Sequence, residues 1–161
     1  MKTVALLAVL LAGACSRSRA SGPALADTAR GTIEVVGSEP ATVTLVQDAE
    51  RLQLVGAGRD VLASLGGIEI VVAGTRRAAA GPALPAPATF EVASFIVRAV
   101  GGVSAHDGLV RRDAGTWVID LRDGGRVATP HLPETLRIVG ARVYLVGPLD
   151  RPPQGYGLVH R

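Results

Sequence analysis

At 161 residues, with 48% hydrophobic and 19% charged, the chain is too apolar and too weakly charged to be an intrinsically disordered protein. Seventeen basic residues against 14 acidic ones leave a formal charge of only +3, a thin basis for a nucleic-acid-binding surface. The single cysteine excludes an intrachain disulfide, and the length suits one compact domain or two very small ones.

Residues 1–15 read MKTVALLAVLLAGAC. Lys2 is a positive start, Thr3 to Leu11 is a mostly apolar run, and Ala12, Gly13 and Ala14 are small residues placed for cleavage. This is the layout of a secretory signal, and the apolar run is shorter than the roughly 20 residues of a membrane-spanning helix. The run Leu11-Ala12-Gly13-Ala14-Cys15 resembles the lipobox of bacterial lipoproteins, although Ala12 stands where that family usually has a larger residue. The resemblance implies a diacylglyceryl group on the Cys15 sulfur and cleavage that leaves Cys15 first. No other cofactor is implied. Two or three acyl chains are enough for stable anchoring. Ser16, which is not aspartate, implies sorting to an outer membrane, facing the periplasm. A plain secretory signal, with Cys15 a bystander, is the alternative. We expect a signal peptide over 1–14 and a lipidated, flexible tether over 15–30, rich in small and polar residues.

From Gly31 onward strand patterns dominate. Ile33 and Val35, Val43 and Leu45, and Leu52 and Leu54 each alternate with polar neighbours, as half-buried strands do. Asp48-Ala49-Glu50 reads as a hairpin turn. DVLASL (60–65) breaks the pattern with one or two helical turns, Asp60 as N-cap and Gly66-Gly67 as the stop. IEIVVAG follows, then an Ala- and Pro-rich loop over 78–88. In FEVASFIVR, Phe90 and Val92 share one face and Phe95 and Val97 another, and a bulge near Ala93-Ser94 would restore the phase.

The second half repeats this order. A strand opens at Gly108, after a polar turn that holds Ser104, His106 and Asp107. TWVIDL and RVAT flank an Asp123-Gly124 turn, Pro133–Val139 reads as a second short helical turn, GARVYLVG as a strand, 148–155 as a loop and YGLVHR as the last strand. RDGGRV (122–127) falls on QDAERL (47–52), and Gly140–Gly147 falls on Gly67–Gly74. A repeat of about 60 residues that occurs twice points to duplicated units and not a solenoid. The element order resembles the OB-fold, a five-stranded, partly open barrel, here with a short helix between strands 3 and 4. The fold class expected is all-β, as two tandem small OB-like barrels over 31–99 and 100–161; the alternative is a single β-sandwich using all the strands.

Catalytic patterns are thin, and the chain is not expected to be an enzyme. Ser104, His106 and Asp107 are too close in sequence to hydrogen-bond in series as a triad. His106, His131 and His160 lack metal-ligand spacing, and Gly56-Ala57-Gly58 lacks the long helix of a phosphate loop. Phe90, Phe95 and Trp117 fall on interior phases and Tyr144 on the wet one, which makes nucleic-acid stacking an unlikely use for the barrels. Ligand contacts in OB-folds often use the loop between the fourth and fifth strands. Here that means Arg76 and Arg77 in the first unit, and Arg151, Gln154 and Tyr156 in the second, suited to an anionic glycan or a protein carboxylate. The expectation is a membrane-anchored, non-catalytic binding or scaffolding module of the cell envelope, partnered by the membrane and by an envelope protein or glycan. Alternatives are a purely structural lipoprotein and, behind it, a nucleic-acid-binding protein or a hydrolase.

Overall fold

The structure, a computed structural model, describes residues 27–37, 41–48, 50–78 and 87–160. Cys15 and residues 1–26 lie outside the described residues. The first half contains β1 (Asp27–Val36), β2 (Thr42–Gln47), β3 (Glu50–Val55), the helix α1 (Arg59–Ala63), β4 (Ile68–Arg77) and β5 (Thr89–Val100). The second half contains β6 (Val103–Asp113), β7 (Thr116–Leu121), β8 (Arg126–Ala128), a 3-10 turn (Glu134–Leu136), β9 (Arg142–Val146) and β10 (Gly155–His160). The fold is all-β, and the ten strands of the described residues form one sheet that is antiparallel except where β3 meets β5.

In the first half β1 pairs with β2, β2 with β3, β3 with β5 in parallel, β5 with β4, and β4 with β1 again. This ring of five strands, with α1 between the third and fourth, is the barrel that the OB-fold resemblance implies. It rules out the sandwich, in which two sheets face each other. The alternating apolar residues fill it: Ile33, Leu45, Leu52, Ile70, Val72 and Phe90 are all buried. Each such side chain contributes about 1.5–3 kcal/mol by leaving water. Leu62 and Leu65, on and just after α1, add to the same core. Gly58, and not Asp60, is the N-cap of α1. The N-cap therefore lies two residues earlier than the sequence suggests, and the Arg59 guanidinium, in the first turn, donates to the Ala41 carbonyl. The β4–β5 register slips between Ala73 and Gly74, which leaves Ala93 as the extra residue of the expected bulge. A second slip, between Glu69 and Ile70, makes Arg98 another bulged residue.

The second half keeps the same pairings: β6 with β7 and β9, β7 with β8, and β9 with β10. Closure is what the expected second barrel lacks, because no pairing joins β8 to β10 among the described residues. β8 has three residues and Pro130 follows it closely, without the N–H that an extended ladder needs. A smaller core of Val110, Ile119, Leu132, Leu136, Val143 and Leu145 lies beneath this open sheet.

The duplication is visible in the register. Gly31 stands opposite Ile70 as Gly108 stands opposite Val143. An added Cβ would overlap the Val46 carbonyl at Gly31 and the Asp120 carbonyl at Gly108. Gly67 N–H donates to the Ile33 carbonyl at 2.8 Å, and Gly140 N–H to the Val110 carbonyl at 2.9 Å. The β10 register slips at Val159, which matches the slip at Arg98 in β5.

Two boundaries differ from the sequence expectation. β1 begins at Asp27, so residues 27–30, assigned to the tether, pair with Val71–Gly74. Ala29 is buried there, although small residues with no alternation give little strand signal. β6 begins at Val103, because Gly101 and Gly102 take positive φ and turn β5 back as a two-residue hairpin. Ser104, His106 and Asp107 therefore lie within a strand and not in a polar turn.

The two halves meet at Asp107. Its Oδ2 accepts from the Val97 N–H at 2.8 Å and from Arg142 Nη2 at 2.6 Å, and its Oδ1 accepts from Arg142 Nε at 2.9 Å. Arg142 Nη2 also donates to the Phe95 carbonyl at 2.7 Å, and its Cζ lies 4.1 Å from the centre of the Phe95 ring. Between Glu91, where its pairing with β3 ends, and Ala99, where its pairing with β6 begins, β5 has no partner strand on this edge. The carboxylate and guanidinium take the place of that strand. Ala105, Val146 and Val159 of the second half join the first core around them. Removing one partner of a buried pair leaves an uncompensated charge, which costs about 3–5 kcal/mol. We therefore expect Asp107→Ala to lower unfolding stability by about that much and Asp107→Asn by less. Urea unfolding followed in parallel by circular dichroism and by the fluorescence of Trp117, the one tryptophan, checks this. In Asp107→Ala the two transitions should also separate, because Trp117 reports the second half alone.

Candidate functional site

The ends of β4 carry the first pair of expected ligand residues. Successive residues of a strand point to opposite faces, so Arg76 and Arg77 diverge. Arg76 Nη2 lies 2.8 Å from Glu50 Oε2 at the start of β3, and its backbone N–H donates to Asp27 Oδ2 at 3.4 Å. Arg77 Nη2 lies 2.6 Å from Glu91 Oε2. Arg76 borders an open cleft of about 290 Å³, shared with Asp27, Thr28, Gln47, Glu50 and Phe90. Both guanidinium groups thus hold a carboxylate of the same barrel. An incoming anion would have to displace Glu50 or Glu91, and an exposed ion pair of this kind is worth about 0–1 kcal/mol.

The second set lies on the other half. Arg151 is solvent-exposed, with Nε 3.9 Å from its neighbour Asp150. Gln154 lies along Gly147, and its backbone N–H donates to the Val146 carbonyl at 2.9 Å. Tyr156 sits on β10 and is exposed. No hydrogen bond or ion pair among the described residues joins this set to Arg76 or Arg77. Tyr144, on the expected wet phase, is half-buried against the first core, and its ring lies over Gly157. Trp117 packs on the second core, with the Arg112 guanidinium carbon 5.2 Å from its ring centre.

Asp107 is committed to Arg142 and Val97, and His106, its neighbour on the strand, faces the opposite way. Ser104, His106 and Asp107 therefore do not act in series. Among the described residues no group of three histidine, cysteine or acidic side chains is placed to hold a metal ion. No helix among them is long and apolar enough to cross a membrane.

Sequence reasoning missed the exposed edge of β10. β10 pairs only with β9 among the described residues, and Tyr156 and Leu158 on it are 49% and 38% exposed. An unpaired edge that carries apolar side chains is where an extended partner strand can add. A partly open barrel leaves an edge strand without saying which one; the shortness of RVA before Pro130 is the signal that points to β10.

Compared with protein-family models, curated proteins and solved structures, the chain matches none of them.

A charge network covers the outer face of β6, β7 and β8. Asp120 accepts from Arg126 Nε at 2.6 Å and from Arg111 Nε at 3.2 Å, and Arg126 also lies 3.6 Å from Asp113. The hydrogen bond from Arg126 is the main reason the Asp120 carboxyl titrates below its ordinary value, with Arg111 adding to it, while partial burial opposes both. Asp120 in turn raises Arg126. A carboxyl whose folded pKa is lowered stabilises the fold above its unfolded pKa, and that contribution is lost as pH falls through the folded value. Denaturant midpoints measured from neutral pH into the acid range should fall accordingly. In Asp120→Asn that part of the slope should flatten, and added salt should shrink the difference.

Proposed function

We propose that the protein is a bacterial lipoprotein, tethered through a lipid on Cys15 and serving as a non-catalytic binding or scaffolding module at the cell envelope. The anchor reading rests on MKTVALLAVLLAGAC, a short apolar run that ends in small residues and the chain's one cysteine. The binding reading rests on the open second half, whose β10 edge offers unpaired backbone groups beside Tyr156 and Leu158. Backbone pairing supplies affinity to such an edge, and side-chain pockets supply selectivity. Residues 16–26 can span at most about 40 Å between the lipid and the start of β1. A module on such a lead stays close to the membrane while its strand edge faces the periplasm. An envelope protein with an extended segment fits this edge better than an anionic glycan fits Arg76 and Arg77, which already hold Glu50 and Glu91.

Intact mass of the protein from the membrane fraction of its native host, with Cys15→Ala as control, tests the anchor. The expected result is a chain that begins at Cys15 and carries acyl groups, with the membrane association lost in the control. A soluble, unlipidated chain retaining Met1 would overturn the proposal.

A further inference from the structure

The register that relates the two halves places Arg30 of β1 on Asp107 of β6, and Glu69 of β4 on Arg142 of β9. Arg30 lies opposite Val71 as Asp107 lies opposite Tyr144, and Thr32 lies opposite Glu69 as Leu109 lies opposite Arg142. Both positions carry an ion pair: Arg30 Nε to Glu69 Oε1 at 2.5 Å, and Arg142 Nη2 to Asp107 Oδ2 at 2.6 Å. The charges are exchanged between the strands, and the surroundings differ. Asp107 and Arg142 are 0% and 15% exposed because β5 lies across them, whereas Glu69 and Arg30 are 29% and 65% exposed. Among the described residues nothing lies across that pair. An open cleft of about 370 Å³ borders it, lined also by Thr32, Gln47 and Asp48.

The element that would lie there is also exposed. β10 repeats β5, with Tyr156 at the place of Phe95, Leu158 at that of Val97 and the bulged Val159 at that of Arg98. Phe95 and Val97 present the C=O and N–H that Arg142 and Asp107 hold. Both side chains are buried in the first core, at 7% and 0%, whereas Tyr156 and Leu158, on the half that does not close, are 49% and 38% exposed. One repeat therefore has a docking face without its strand, and the other has a strand without its docking face.

We propose that these two surfaces meet between copies of this chain. The β10 edge of one copy docks across the Arg30–Glu69 pair of the next, continuing between molecules the contact that β5 makes with β6 and β9 inside one. Because the charges are exchanged, the fork takes donor and acceptor in the opposite order, and the N–H and C=O of Leu158 supply that order along one edge. The contact is head-to-tail, with different patches on the two partners, so it builds a ring or a filament and not a symmetric dimer. It rests on the same reading of β10 as a binding edge, names a second copy of the chain as that edge's occupant, and stands whether or not Cys15 is lipidated.

Sedimentation velocity of the full chain carrying Cys15→Ala, over a wide concentration range, tests this without interference from micelles. The expected parent behaviour is stepwise growth beyond two chains. Leu158→Arg, which keeps the docking face, and Glu69→Arg or Arg30→Glu, which keep β10, should each weaken association about tenfold or more (about 1.4 kcal/mol). An equal mixture of a β10 variant and a face variant retains one good pair of surfaces and should stop at two chains. Far-ultraviolet circular dichroism confirms that each variant is folded, and either face variant serves if the other is not. A parent chain that stays monomeric throughout, association that ignores both kinds of variant, or a mixture that fails to form the two-chain species would each overturn the proposal.

Discussion

A carboxylate sealed from water inside a β-protein is tolerable only when both oxygens find donors and its charge a partner, and Asp107 finds three hydrogen bonds, from Arg142 twice and from the Val97 N–H. The arrangement depends on a defect in the neighbouring barrel. β3 accompanies β5 only from Thr89 to Glu91, and beyond that the bulged strand exposes a C=O and an N–H that no ladder satisfies. Arg142 and Asp107 satisfy both groups and each other. Remove the fork and the β5 edge is orphaned, the guanidinium is buried without a partner, and Ala105, Val146 and Val159 lose their reason to sit in the first core. The single sheet of ten strands runs from one half to the other through the β5–β6 hairpin, and this buried ion pair, beside the exposed Arg98–Asp123 pair, fastens the two halves next to that crossing.

The same pair, with its charges exchanged, shows how much environment matters. Arg30 and Glu69 occupy matching register positions on the first barrel, yet they contribute little, because water and salt screen an exposed pair. Gly31 and Gly108 repeat for a firmer reason. Each stands where the first strand of its unit passes so close to the next strand that any side chain would strike a carbonyl. The two halves agree where the backbone requires it and differ in their charges.

Much of this fold was legible in the sequence. Alternation located the strands around Ile33, Val43, Leu52 and Ile70, and the phase break between Val92 and Phe95 located a bulge. The superposition of Gly140–Gly147 on Gly67–Gly74 located the repeat. What was not legible has a common cause: it depends on non-local pairing. Asp107 reads as a turn residue because its partners lie ten and 35 positions away. Residues 27–30 read as tether because Ala29 and its polar neighbours reveal nothing of the β4 edge that pairs with them. Arg76 and Arg77, assigned to the entry of the loop after the fourth strand, are the last two residues of β4 itself. The sequence alone did not show that Glu50 and Glu91 would reach them, since that depends on how the barrel closes.

Closure also explains where the molecule keeps its capacity to bind. A β-sheet must end somewhere, and each free end of this one is managed differently. The first half abolishes its edges by bringing β3 to β5, and the stretch of β5 that escapes is held by Asp107 and Arg142. β8 is blunted by its length and by Pro130, both of which shorten the template on offer. β10 has neither device. It contains no lysine and no proline, it carries Tyr156 and Leu158 on an open edge, and the Tyr144 ring lies over Gly157. Left uncovered, such an edge is an aggregation hazard. A chain with such an edge would gain from having it covered by a specific partner surface, and that requirement singles out β10 among the ten described strands.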